Sequence, residues 1–505
     1  MKFGPAAVAA LWWITAQAAT GLVPDEILVK YRDGGSFAGA AGRSIGHGVR
    51  VESVGLSATA RSSKRARNDA LQRRLATLRA DPRVEYAEPN WYGQFAALPT
   101  PVTAPNDPKF SSQDWLDKVG ARQAWAIAEG RGVTVAVVDS GVDMSHPDLR
   151  DNLLPGFDFG DNDGDPQDQH GHGTRVAAVV AALRDNALGG SGLAAKAKVL
   201  PVKINPNSSG TFTSAAVAES IYYAVQKGAR VINLSLEIDN DTETVKNAVD
   251  HAVAAGVIVV AAAGNQGIEV SFPATLSNVI AVASSTADDA IAMHSRNGPE
   301  VAIAAPGENI RSAKLGGGFD DVGQSGTSFA APAVSAAVAA LVEVEPRFDR
   351  AHIVARLNAT GQPLIGETRY KRLDIGRLLL DQLPELRPRS TVLNAATDSL
   401  QVDFRLPQHM GPVDLYATVL TPFGEFALTA DGGWRDVARQ GYRPLLSGYA
   451  SPAEQTGILF GSGGLFPALR LAGLPAGAYR WRIAQVDASR GALIGPVVES
   501  PFTLK

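Results

Sequence analysis

The sequence predicts an α/β molecule: a parallel sheet with helices on both faces, preceded by a small α+β region and followed by a β-sandwich-like one. Three observations predict it. Between residues 106 and 382, short apolar runs alternate with stretches of helical length and spacing, the pattern of repeated strand–helix–strand units. Before that lie two strand-like runs separated by a basic, helix-compatible stretch. Beyond residue 390, short alternating runs recur between turn clusters. A length of 505 residues suits about three domains. With 45% hydrophobic and 19% charged residues, wholesale disorder is excluded.

In chain order, Met1-Lys2 supplies a positive start, residues 6–14 are an apolar run too short to span a bilayer, and Ala16-Gln17-Ala18 reads as a cleavage site. This predicts a signal peptide over 1–18 and a secreted product, extracellular or periplasmic. No later run holds 18 uninterrupted apolar residues, so no membrane span is expected. The first domain, 21–95, opens with the alternating run Glu26-Ile27-Leu28-Val29-Lys30-Tyr31. It continues through Arg65, Arg67, Arg73, Arg74 and Arg79, and closes with Val84-Glu85-Tyr86-Ala87. From Phe95 to Pro108 periodicity is lost, which places a linker at 96–105.

The central domain, 106–382, shows β-type runs at 133–138, 198–204, 231–236 and 256–262. Helical patterns occupy 174–183, 214–228 and 242–255. In such sheets chemistry gathers at strand carboxyl ends and helix amino ends. The last domain, 390–505, alternates at Leu400, Val402, Phe404 and at Tyr479, Trp481, Ile483. Asp431-Gly432-Gly433 and Leu474-Pro475-Ala476-Gly477 read as its turns.

Several function classes fall away at once. A net charge of −4 gives no footprint for nucleic acid. The absence of cysteine removes disulfides, thiol nucleophiles and Cys-ligated metals.

Four residues then stand where chemistry is expected. Asp139 ends the run Val133-Thr134-Val135-Ala136-Val137-Val138, a carboxylate placed to orient a partner. His172, in His170-Gly171-His172-Gly173-Thr174, opens a small-residue helix, where a nearby carboxylate would favour its protonated form. A metal pair of His170 and His172 is the weaker reading, because a third ligand and the His-Glu-x-x-His pattern are absent. Asn265, in Ala262-Ala263-Gly264-Asn265, offers an amide donor that does not titrate. Ser328, in Gly326-Thr327-Ser328-Phe329-Ala330-Ala331-Pro332, sits in the first turn of a helix, whose N–H groups face developing negative charge. Ser325 competes with it, but falls in the turn and does not complete a Gly-x-Ser-x-Gly elbow. Each residue alone is an ordinary turn or cap; their joint order is not.

These segments, together with Val231-Ile232-Asn233-Leu234-Ser235-Leu236, resemble the signature segments of the subtilisin-like serine proteases over roughly 106–382. The resemblance implies a subtilisin-like fold and a serine endopeptidase. In it Ser328 is the nucleophile, His172 the general base and acid, Asp139 the orienting carboxylate and Asn265 the oxyanion donor. Ser235, Leu236, Glu237 and Gly264 would bind the substrate chain. The alternative is a non-enzymatic surface or adhesion protein using the domain as a scaffold.

The first domain resembles the family's inhibitory propeptide, which implies a zymogen cleaved between Phe95 and Asp107. Arg175 and Phe329 depart from the family pattern with little expected effect. Glu237 replaces a usual glycine and, with Asp239, Asp241 and Glu243 close by, predicts either a preference for basic residues near the scissile bond or a solvated acidic loop. Asp158, Asp161, Asp163, Asp165 and Gln167 resemble a calcium loop of the thermitase branch, a structural Ca²⁺ site or else a solvated acidic turn. No cofactor is needed for the chemistry. Protein or peptide substrates, the chain's own propeptide and a monomeric state complete the expectation.

Overall fold

The computed structural model describes residues 22–32, 42–46, 49–54, 64–91, 102–390 and most of 392–504. The expected leader (1–18), residues 96–101 of the expected linker and Asp431-Gly432 of an expected turn lie outside the described residues.

The N-terminal strands β1 (Leu22–Tyr31), β2 (Gly42–Gly46), β3 (Val49–Ser53) and β4 (Val84–Trp91) form an antiparallel sheet in the order β2-β3-β1-β4. Helix α1 (Lys64–Arg79) joins β3 to β4. Leu71, Leu75 and Leu78, spaced four and three apart on one helix face, bury against Ile27 and Val29. Arg73 and Arg79 stay exposed.

The central sheet has nine strands: β5 (Thr134–Asp139), β6 (Phe157–Asp158), β7 (Lys198–Lys203), β8 (Val231–Leu234), β9 (Ile258–Ala262), β10 (Ile280–Ser285), β11 (Val301–Pro306), and β14 (Gln362–Leu364) and β15 (Glu367–Arg372) at one edge. Their order is β14-β15-β11-β10-β9-β8-β5-β7-β6, parallel except for the β14–β15 pair. Between β11 and β14 a short hairpin, β12 (Ala313–Lys314) and β13 (Gly318–Phe319), stands apart from the sheet.

Alternate strand residues feed two cores. Val135, Val137, Val231, Ile258 and Val260 face helices α2 (His172–Ala181) and α5 (Thr327–Val344). Ala136, Val138, Ile232, Leu234 and Val259 face α3 (Ser214–Gln226) and α4 (Glu243–Ala254). Burial on both faces explains why these strands read as continuous apolar runs. Helix α5 is long and apolar enough to cross a membrane, but it is the buried helix of this core. Its alanines at 330, 331, 333, 336, 337, 339 and 340 carry almost no side-chain bulk toward the sheet.

Five strands of this sheet went unread in the sequence: β6, β14 and β15 are very short or polar edge strands, and β10 and β11 are short, alanine-rich and joined by irregular chain rather than by a helix. The 231–236 run also ends early as a strand, at Leu234. From Ser235 onward the backbone has left the sheet.

The chain crosses from β5 to β7 on one side and returns to β8 on the other, so strand order reverses beside β5. The crevice at the carboxyl ends there is where such sheets bind ligands.

The C-terminal region is β-rich. A larger sheet built on Gly477–Asp487, Ala492–Leu504 and His409–Thr421 faces a smaller one of Glu385–Pro388, Val402–Leu406 and Gln455–Phe460. Both contribute to one core that includes Val402, Leu459, Trp481, Ile483 and Phe502.

Candidate active site

Asp139 is the last residue of β5 and nearly fully buried. Its Oδ1 accepts from Ser140 N–H at 2.7 Å and lies 2.7 Å from His172 Nδ1. His172 opens α2, which approaches β5 closely because Gly173 has no side chain. A Cβ there would stand 2.1 Å from the Gly141 carbonyl and 3.1 Å from Asp139 Cβ. The free N–H groups of this helix start are met by neighbours. Asp168 accepts from Gly171 and Thr174 N–H (2.8 and 3.0 Å), and Ser140 Oγ accepts from Gly173 N–H at 2.9 Å.

Burial works against a charged imidazole. The Asp139 charge, its hydrogen bond and the Asp168 charge outweigh that cost against the opposing Arg175, and His172 is raised above the ordinary imidazole value.

Ser328 lies in the first turn of α5. Pro332, four residues on, has no N–H to return to the Ser328 carbonyl. Ser235 Oγ fills that gap, donating to Ser328 O at 2.8 Å, while Ser328 Oγ lies 3.4 Å from Ser235 O. The connection continues into the core: Asn233 Nδ2 donates to Ser235 Oγ (2.9 Å), and Ser335 Oγ donates to Asn233 Oδ1 (2.9 Å). The His172 ring stands against Phe329, with centroids 5.7 Å apart, so the imidazole sits beside the start of α5.

Asn265 follows β9. Its Oδ1 accepts from Thr327 N–H at 2.7 Å and from Thr327 Oγ1 at 3.1 Å. A backbone N–H can only donate, so the amide is oriented with Nδ2 as the remaining donor. A cleft lined by His172, Asn205, Gly210, Phe212, Ser235 and Leu236 opens beside Asp139. A carboxylate–imidazole pair, a nearby hydroxyl and an oriented amide can together perform acyl transfer.

The chain matches two family models: the subtilase family over residues 130–376 and the fervidolysin N-terminal prodomain over residues 14–90. It is 43% identical over 269 residues to thermitase of Thermoactinomyces vulgaris, covering 53% of this chain and 94% of that protein. The chain belongs to the subtilase family. It is also 41% identical over 277 residues to a thermophilic serine proteinase of Bacillus sp. (strain AK1), covering 54% of this chain and 66% of the relative. A solved protease of Pseudoalteromonas arctica PAMC 21717 superposes with a TM-score of 0.51 at 29% identity, covering 55% of this chain and 99% of that one. This subtilase is thus a serine-type endopeptidase with an N-terminal prodomain.

Around this site of the subtilase two acidic segments have charged partners that the sequence did not signal. Glu237 is not a free carboxylate: its Oε1 accepts from Asn265 N–H at 2.8 Å and its Oε2 lies 3.3 Å from Arg296 Nη2, while Asp239, Asp241 and Glu243 are exposed to solvent. The expected preference for basic residues rested on a free carboxylate, and that is not what the fold supplies. The pairing with Arg296 links residues 59 positions apart, so nothing local in the sequence signals it.

The acidic loop before His172, read as a structural calcium site or a solvated acidic turn, also has a partner from another strand. Lys203 Nζ, fully buried at the end of β7, donates to Asp158 Oδ2 at 2.5 Å and lies 3.5 Å from Asp161 Oδ2. Burial disfavours the ammonium charge, but Asp158 and Asp161 overcome this and raise its pKa. Asp158 Oδ1 accepts from Gly160 and Asp161 N–H, Asp163 from Asp165 N–H, Asp165 from Gln167 N–H, and Gln167 Oε1 from Met144 N–H. The loop satisfies itself, and a lysine supplies the positive charge. Among the described residues no three His, Asp or Glu side chains converge on a metal position, and that includes His170. Ser325 accepts from Asn309 N–H and serves the turn.

Residues that the sequence reading missed are Asp168, Asn233, Thr327 and Ser335. All are nearly fully buried and polar. A polar residue inside an apolar run, as Asn233 is between Ile232 and Leu234, was the one visible signal.

Proposed function

We propose that Ser328 cleaves peptide bonds through an acyl-enzyme. Ser328 Oγ attacks the scissile carbonyl carbon and passes its proton to His172, whose Nδ1 side is held by Asp139. The carbonyl oxygen becomes an oxyanion and receives hydrogen bonds from Asn265 Nδ2 and the Ser328 N–H, at the positive end of α5. Collapse breaks the C–N bond, and His172 returns the proton to the leaving amine. A water molecule, deprotonated by His172, then releases the acid and frees Ser328. The carrying observation is the 2.7 Å contact between His172 Nδ1 and Asp139 Oδ1 beside the helix start that bears Ser328.

In this reading the ends of Ser235, Leu236 and Gly264 present backbone to an extended substrate. The prodomain blocks the cleft until a cut within the linker region releases it, and the apolar leader directs the chain to secretion. The intact mass of the secreted product, compared with Ser328→Ala, tests this. The wild type loses its leader and prodomain, and the variant keeps the prodomain. Identical processing of both would overturn self-maturation, and peptide hydrolysis by the variant at the wild-type rate would overturn the assignment of Ser328.

Subtilases commonly hold structural calcium, and besides the 158–167 loop the fold offers a second set of hard oxygen donors. Asp107 and Asp148 are both nearly fully buried, and both border the loop carrying Asn186, which contacts each of them. Burial, with the Asp107 charge adding to it, pushes Asp148 up to about 7. Two carboxylates and an amide are hard oxygen donors of the kind calcium takes. An ion held there would supply the positive charge that two buried carboxylates need, with no part in the chemistry.

A further inference from the structure

The charged pair beside Asn265 bears on which peptides are cut, provided that Ser328 is the nucleophile and Asn265 the oxyanion donor, the reading on which the inference rests. Strands β8 and β9 are neighbours, with Leu234 opposite Ala261. Beyond their ends, segments 235–237 and 262–265 leave the sheet side by side. Further out the gap is closed by a bridge between Ile238 and Phe272, whose N–H···O distance is 2.9 Å. The slot between the two segments therefore opens next to Ser328 and Asn265. A side chain on the residue that donates the scissile carbonyl has this slot beside it.

Glu237 reaches from one segment to the Asn265 N–H of the other, and Arg296 lies against Gly264 beside it. Arg296 is anchored at three points: its backbone N–H donates to Gly264 O (2.9 Å), Nη1 donates to Glu269 O (3.1 Å), and Nη2 meets Glu237 Oε2 at 3.3 Å. Its side chain lies flat on Gly264, where φ is +111° and a Cβ would stand 2.6 Å from Arg296 Cδ and 2.9 Å from Nε. Arg296 Nε is buried with no partner. Glu237 is held by Arg296 and by Asn265 N–H together. Its carboxylate cannot swing to an incoming cation without releasing both.

We infer that the Glu237–Arg296 ion pair sets primary specificity, giving a charge-compensated slot that accepts uncharged side chains and rejects Lys, Arg, Asp and Glu. A cationic side chain meets Arg296 and finds Glu237 already engaged. An anionic one is repelled by Glu237 and finds Arg296 already engaged. Like charges brought together at a partly desolvated site carry a large penalty, and rejection of this kind is how specificity is commonly enforced. Removing either partner leaves one charge unmasked and turns the slot to the opposite sign.

The test uses matched peptides that differ only in the residue before the scissile bond, Leu, Lys or Glu. Ratios of kcat/KM are compared within each enzyme, since Glu237 also touches Asn265 and its loss lowers turnover on every substrate. The wild type favours Leu over both charged peptides by about tenfold or more. Arg296→Gln raises the Lys/Leu ratio by about tenfold, and Glu237→Gln raises the Glu/Leu ratio by a similar factor. The double variant returns to the uncharged preference. Wild type cleaving the Lys or Glu peptide as well as Leu, or single variants with unchanged ratios, overturns the inference. A serine-reactive fluorophosphonate separates this from failure of the catalytic reading. Labelling that vanishes in Ser328→Ala upholds the nucleophile whatever the ratios show. Equal labelling of wild type and Ser328→Ala overturns the nucleophile, and the inference with it.

Discussion

At the scale of single residues, the candidate site is organised by groups outside the catalytic set. Arg175 carries a positive charge one turn from His172, fixed by Asp320 (2.7 Å) and the Gly171 carbonyl (2.8 Å). In the proposed mechanism His172 works as a base only when neutral, and its pKa is raised. Activity therefore falls as pH drops through a value above the ordinary imidazole figure of about 6.5. Arg175 opposes protonation, so Arg175→Gln moves the acidic limb of kcat/KM further up. A limb that stays put, or moves down, would refute the role given to that charge. Ser235 is the second case. Without its hydroxyl the Ser328 carbonyl has neither Pro332 nor Ser235 as donor. Ser235→Ala is expected to cost about 1–3 kcal/mol of stability by chemical denaturation and to lower kcat more than it raises KM.

At the scale of elements, the structure uses close approach and buried charge in place of cross-links. Gly173 allows α2 to meet β5, and a proline in α5 leaves a carbonyl available to the strand end opposite it. The loop after β6 is tied down by Lys203 from β7. Lys203→Met would leave Asp158 buried without its counter-ion, at a cost of about 3–5 kcal/mol, read as a fall in thermal midpoint. If the loop instead held a metal, the same change would relieve repulsion and raise the midpoint. The loop's spacing of acids was legible in the sequence, but its lysine partner was not, because Lys203 lies some 40 positions further along the chain.

At the scale of the whole molecule, a parallel sheet of nine strands brings together residues from Asp139 to Ser328, and such non-local pairing folds slowly. A prodomain with its own small sheet and core precedes it. Calcium at Asp107, Asp148 and Asn186 would bind only the folded chain. Thermal midpoint is then expected to rise with calcium concentration, by about 2.7 kcal/mol of stability at a hundredfold excess over the dissociation constant, and to fall on chelation. Asp148→Asn flattens that dependence. A midpoint indifferent to calcium and chelator would exclude the site.

The sequence alone determined the α/β class, three of the domain-scale changes in pattern, and the four residues Asp139, His172, Asn265 and Ser328. The class, and the position of those residues at strand ends and helix starts, are legible because such ends are local events, written in apolar runs, glycines and small residues. The extra strands β10 and β11 were missed because no helix separates them. Tertiary structure alone decided which charges meet. Arg296 pairs with Glu237, Lys203 pairs with Asp158, and Ser235 serves the carbonyl that Pro332 leaves free. A charge has no periodicity, so its partner is chosen by the fold and not by neighbours in the chain.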